Sequence, residues 1–288
     1  MRPMRLQSVV LLLAFALVAA TGAGCVARKV AYGFADTFLY RAVDSYFDND
    51  KEQKAFLKPR LAAHHQWHAA SELPLYAEDL GVLEARAADG LDRADVDWAY
   101  ERVDAARTRL VEHLLPDAVT FLSTVSPAQV EVMEEENAER NAKRAERLSG
   151  AESTYVAKRS ASLEKNFRSW MGNLTAPQKA RVEAFVRSDR AGHVARLDAT
   201  RASQEALARA LRANSPPETL RAAILAGMRP LKPAENSYQA SLRDLVVDVA
   251  ALATPSQREK FTAEVRAWRI DLQELSLKYG GHGGHGGR

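Results

Sequence analysis

Ser126-Pro127-Ala128-Gln129, Thr175-Ala176-Pro177-Gln178 and Thr254-Pro255-Ser256-Gln257 each set a hydroxyl three residues ahead of a glutamine. This is the chemistry of a helix start. The hydroxyl accepts from a free backbone N–H of the first turn, and the glutamine reaches back to the cap residue. Pro127 and Pro255 fall at the first helical position, where no N–H is missed. Val125 and Val130 are spaced to close a hydrophobic staple across the first of these starts. Asp50-Lys51-Glu52-Gln53 is an acidic version, and Ser215-Pro216-Pro217-Glu218 ends on glutamate instead. Each cap contributes about 0.5–2 kcal/mol.

Outward from these starts the chain stays helical. In Trp98–Leu115 (WAYERVDAARTRLVEHLL), Val103, Ala106, Leu110 and Leu114 recur on one face. Glycine is scarce before the C-terminal tail, no alternating β-rich run is bounded by hairpin turns, and Ala, Leu, Arg and Glu dominate. The expectation is an all-α, elongated multi-helix bundle of eight or nine helices. Met133–Leu148 is rich in Glu and Arg and poor in apolar residues, which predicts a solvated helix with pairs such as Glu136/Arg140 and Glu139/Lys143.

Spacing suggests a repeat. Gln53 and Gln178 stand 125 residues apart, and Gln129 and Gln257 stand 128 apart. Gln53-Lys54-Ala55 recurs as Gln178-Lys179-Ala180, and His68 meets His193 at the same offset. Two duplicated helical halves, 37–150 and 151–279, would produce this pattern, as would convergent cap chemistry.

The first residues supply an address. Arg2 and Arg5 precede an unbroken apolar run, Val9–Ala20, and Thr21-Gly22-Ala23-Gly24 leads to Cys25, the only cysteine. The apolar run is too short to span a bilayer, which takes about 20 residues, so 1–24 read as a signal peptide. A cysteine at that point suggests a bacterial lipoprotein whose Cys25 thiol is acylated, with palmitate-type chains, and becomes the new N-terminus. Gly22 stands where a leucine is usual, and ordinary signal cleavage is the alternative. Two or more acyl chains make attachment effectively permanent. Residues 25–36 would then be a tether, 37–279 one helical domain, and 280–288 a flexible Gly/His tail. Val26 after the cysteine favours the periplasmic face of the outer membrane over the inner membrane.

Removing the signal leaves 38 basic against 37 acidic side chains, so no global field recruits nucleic acid. Gly-x-Ser-x-Gly elbows, phosphate loops and His-Glu-x-x-His are missing from the sequence, and the chain reads as non-catalytic and cofactor-free. His64 and His68 lie one helical turn apart, a spacing that can grip a metal if a third ligand such as His113 or His193 converges. His282 and His285 in the tail are further candidates. The competing view makes Trp67-His68 a packing and hydrogen-bonding unit beside Glu72.

Val30-Ala31-Tyr32, Asp44-Ser45-Tyr46-Phe47-Asp48, Gln53, Trp67-His68 and Glu72-Leu73-Pro74-Leu75-Tyr76 follow one another in a pattern that resembles an uncharacterised family of helical lipoproteins from Gram-negative bacteria. Trp170-Met171-Gly172-Asn173-Leu174-Thr175-Ala176-Pro177-Gln178 is similar to that family's Trp-x-Gly-x-Leu-Thr-x-x-Gln segment. Ala69 replaces an arginine usual after Trp-His, and Thr37 a tryptophan. The resemblance implies the fold and the address but no activity. The Leu-Thr-x-x-Gln-like starts also resemble those of Spy-type periplasmic chaperones, which cradle unfolded clients. The expected function is therefore a lipid-anchored, non-catalytic binding or scaffolding protein that engages another envelope protein or an unfolded client. Metal handling through His64, His68 and the tail is the alternative.

Overall fold

The computed structural model describes residues 25–228 and 237–281, and every element among them is helical. The signal segment 1–24 and the tail histidines His282 and His285 lie outside the described residues. In chain order the helices are α1 (Cys25–Gly33), α2 (Ala35–Phe47), α3 (Lys51–Trp67), a π-helical turn (His68–Glu72), α4 (Leu73–Arg86), α5 (Arg93–Leu122) and α6 (Pro127–Ser149). They continue as α7 (Glu152–Met171), α8 (Ala176–Arg212), α9 (Pro217–Met228), α10 (Ser237–Ala251) and α11 (Pro255–Gly280). Because α3, the π turn and α4 form one unbroken rod, the described chain comprises ten helical rods, against the eight or nine expected.

The capping boxes form at Asp50, Ser126, Thr175 and Thr254, with the glutamine side chain on the cap backbone in every case. The expected start at Ser215 does not. Asn214 takes a left-handed conformation (φ 45°), and the Ser215 N–H bonds back to Ala210 O while Asn214 N–H bonds to Leu211 O. That is a Schellman closure of α8: the Ser215 N–H that Glu218 would have to accept from is spent on Ala210 O, and the first backbone bonds of α9 go to Pro216 O instead. Asp92 and Asp95 make a further box that opens α5, a start not anticipated because its third residue is aspartate.

The glutamines do more than cap. Gln53 and Gln129 donate to each other's carbonyl oxygens at 3.1 and 2.6 Å, and Gln178 and Gln257 do the same at 3.0 and 2.9 Å. Each amide also donates to a backbone carbonyl opposite, at equivalent positions 125 residues apart: Gln53 to Thr124 O and Gln178 to Val249 O, Gln129 to Asp48 O and Gln257 to Asn173 O. All four side chains are buried. Two helix N-termini are thus tied together through fully satisfied amides, a buried polar link of high specificity. The link thus occurs twice along the chain, although the single helix α5 between the first pair of glutamines stands where α9 and α10 lie between the second.

The halves exchange helices. α6 of the first half packs along α8 of the second, while α11 packs along α4 and the π turn. The described residues form four core clusters, around Phe47/Leu115/Met133, around Leu163/Phe185/Val249, around Leu73/Trp268/Leu275 and around Ala35/Leu39/Leu110. The exchange corrects the expected status of Met133–Leu148. The Glu136–Arg140 and Glu139–Lys143 pairs form, but α6 lies between α2 and α8 and buries Val130, Met133, Asn137 and Asn141. Its buried amides are matched: Gln204 bonds Asn137 at 2.8 Å and Asn141 at 2.7 Å. Along α5, Ala106 and Leu110 face inward as the periodicity predicts, whereas Val103 is 60% exposed.

Helix reaches into both segments expected to be loose chain. Residues 25–33 form α1 rather than a tether, with Arg28 and Tyr32 buried. Arg28 bonds Asp271 in α11 and lies 4.5 Å over the Trp268 ring. At the other end Gly280, expected to begin the flexible tail, is the last residue of α11 and lies against the π turn. A Cβ there would sit 2.8 Å from the Ala70 Cα.

Candidate functional site

The π turn has a local cause. Pro74 has no N–H to offer and its ring would clash with the carbonyl one turn back, so the rod widens ahead of it, and the Leu73 N–H reaches His68 O instead. Widening sets His68 and Glu72 against the inside of the molecule. His68 is fully buried, with the Tyr32 hydroxyl 2.9 Å from its Nδ1 and the Tyr76 ring edge-on at 5.6 Å. Its Nε2 and that of His65 are buried without a hydrogen-bond partner. Burial pulls the His68 imidazole down to about 3 from its ordinary 6.5, and pulls His65 down as well, so both are neutral at physiological pH. The same burial raises the hydroxyls of Tyr32 and Tyr76.

Glu72, 2% exposed, accepts a two-pronged contact from Arg109 at 2.9 and 2.9 Å. Such a carboxylate is tolerable inside only because the guanidinium fork matches it. Trp67, half-buried, stacks on His113 with the rings 3.5 Å apart and 8° from parallel. His64 turns to α5, where its Nε2 lies 3.0 Å from Asp117 Oδ2, and Arg60 donates to the other oxygen at 3.0 Å. Burial outweighs Asp117 and lowers His64; burial, then the neighbouring His64, lowers His113.

His64 and His68 therefore face different partners, one the Asp117 carboxylate and the other the Tyr32 hydroxyl. His113 stacks on Trp67, and His193 sits 2.9 Å from Asp189 in α8. Among the described residues, no group of three or more His, Cys, Asp or Glu side chains is placed to hold a metal ion.

Beside the Arg60–Asp117–His64 rim opens a half-enclosed apolar cavity of about 190 Å³. α2 supplies Val43 and Phe47, α3 supplies Phe56 and Leu57, α5 Phe121, α6 Met133, α8 Leu207, and α9 Ala223, Ile224 and Met228. Carbon lines nearly all of it; Asn137, Ser203 and Gln204 add a polar end. A dry apolar cavity of about 150 Å³ suffices for a benzene ring, and drug-sized ligands need about 300 Å³ or more. This one is matched to a single large apolar side chain or a short hydrocarbon segment. The cavity was not legible in the sequence, since its lining residues carry the same helical periodicity as any core face. Arg109 as partner of Glu72, and Tyr32 as partner of His68, lie 37 and 36 residues away and carried no local signal.

No curated protein and no solved structure matches the chain. A family model does match, over residues 45–258, a stretch that contains all four paired glutamines, the π turn and most of the cavity wall. The chain belongs to that family, DUF6279, a family of unknown function.

Proposed function

We propose that the protein is a lipid-anchored, non-catalytic binding protein of the cell envelope that captures an exposed apolar side chain of an unfolded client or envelope partner. The observation that carries this is the carbon-lined cavity between α2, α3, α5, α6, α8 and α9, sized for one such side chain and open on one side. Buried pockets of this kind supply most of the energy when a partner anchors by one aromatic or aliphatic residue. The nearby ionisable groups are engaged with one another, Arg60 and His64 with Asp117 and Arg109 with Glu72, an arrangement that serves to seal a rim rather than to move protons. Acylation of Cys25 fixes the cavity near the membrane on the periplasmic side, where partly folded clients pass.

Ala223→Trp fills the cavity with an indole while leaving the glutamine links in place. Wild-type protein is expected to suppress aggregation of a denatured client at near-stoichiometric ratio, with or without a chelator, and the variant to lose at least ten-fold in that activity. Equal suppression by both would overturn the assignment. A far-ultraviolet circular dichroism spectrum and an unchanged melting curve show that the variant is folded.

A further inference from the structure

α1 and the start of α2 form a two-faced ridge. One face is buried: Arg28 and Tyr32 from α1, then Ala35 and Leu39 from α2, all under 9% exposed. The opposite face carries Val30 and Phe34 at 55% exposed and Phe38 at 42%, spaced four residues apart so that they continue across the short break between the helices. Phe38 N–H still bonds Phe34 O at 2.9 Å, which keeps the stripe in register over the break. Exposing three large apolar residues in a row is costly unless something covers them.

The neighbourhood says what covers them. α1 begins at Cys25, so Val30 is about 7.5 Å and Phe34 about 13 Å along the rod from the acylated residue. The rod cannot swing away from the body. Arg28 and Lys29 hold Asp271, Lys29 also holds Glu274, and Tyr32 packs on His68 and Tyr279. α11, to which it is pinned, shows Leu277 at 80% exposed one turn beyond Glu274. With the anchor cysteine in the bilayer and no slack behind it, the apolar stripe is carried to the membrane surface.

We infer that Val30, Phe34 and Phe38 insert into the lipid interface, so that the protein lies on the membrane along α1–α2 instead of floating on a leash. This rests on the acylation of Cys25. An amphipathic helix of this kind lies in the interface plane with its apolar face about 5–10 Å deep, and adds to the hold of the acyl chains.

The test uses the mature acylated protein in vesicles of phosphatidylethanolamine and phosphatidylglycerol, with an environment-sensitive nitrobenzoxadiazole label on Phe34→Cys and, as control, on Val103→Cys. Acylation leaves Cys25 unreactive, and mass spectrometry of the N-terminal peptide reports it directly. Vesicles should blue-shift the Phe34→Cys label, raise its emission several-fold and expose it to shallow spin-labelled lipids, while the Val103→Cys label stays open to iodide. A bound, acylated protein whose Phe34→Cys label remains as iodide-accessible as the control overturns the inference and leaves the anchor intact. An unmodified Cys25 with no vesicle binding overturns the anchor itself, and the inference with it. A concentration-dependent blue shift without vesicles would assign the stripe to a second copy of the chain instead.

Discussion

The two glutamine links are near copies, yet what surrounds them differs. At Gln178–Gln257 the adjoining core is the cluster of Leu174, Val182, Phe185 and Val249. At Gln53–Gln129 the rings of Phe47 and Phe121 meet edge-on at 5.3 Å, and the space beyond them, bounded by Met133 and Ile224, is the apolar cavity. The long rods differ in the same sense. α8 runs straight through Asp189 and His193, while the equivalent stretch of the first half, His64 to Glu72, widens into the π turn and buries neutral imidazoles. One half keeps the regular helical plan, and the other departs from it at the π turn and opens the cavity.

Breaking the second link should cost most. Gln178 is completely buried, so Gln178→Leu removes a cap and strands the Gln257 amide, a loss of about 3–5 kcal/mol in urea unfolding. The double variant with Gln257→Leu should cost clearly less than the sum, because the stranded partner is gone too. Simple additivity would mean the two amides do not act as a pair.

Acid should act on the first half. The His68 imidazole has a folded value of about 3 against 6.5 when exposed, so the unfolded chain binds a proton that the folded one refuses. Stability is complete above about pH 6.5 and falls as pH drops toward 3, by about 2 kcal/mol at pH 5 from this residue alone. His64, His65 and His113 shift in the same direction and steepen the fall. Urea midpoints at pH 7, 6 and 5 measure the slope, and His68→Gln should flatten it.

A smaller effect attends the contact of α11 with the π turn. Gly280→Ala places a methyl 2.8 Å from the Ala70 backbone and should cost about 1 kcal/mol, since the last turn of α11 can shift only partly. The smallest is on the solvent side of α6. Lys143→Ala removes an exposed pair with Glu139 and should leave the melting temperature unchanged within error.

Helicity and the starts at Asp50, Ser126, Thr175 and Thr254 were legible because each is a local signal, and each start is written within four residues. What was not legible depended on pairing across the chain. Nothing near Gln53 says that its amide meets Gln129, and nothing in the polar run of α6 says that Asn137 and Asn141 find Gln204. The same limit applied to the site. His64 and His68 share a spacing that suits a metal, but Asp117 and Tyr32, supplied by other helices, draw them to separate partners. Residues 25–36 read as a tether because nothing near them shows the contacts that hold α1, which come from Asp271 and Trp268 in α11.

Beyond residue 24 the chain carries three methionines, and they divide between the two regions: Met133 and Met228 line the cavity, and Met171 lies in the core around Val182 and Phe185. Methyl-labelled protein titrated with a permanently unfolded client, such as reduced and alkylated α-lactalbumin, therefore tests the account most directly. The Met133 and Met228 methyl resonances should shift and saturate together while Met171 stays in place. A shift of Met171 as large as theirs, or saturation of binding with Met133 and Met228 unmoved, would contradict it.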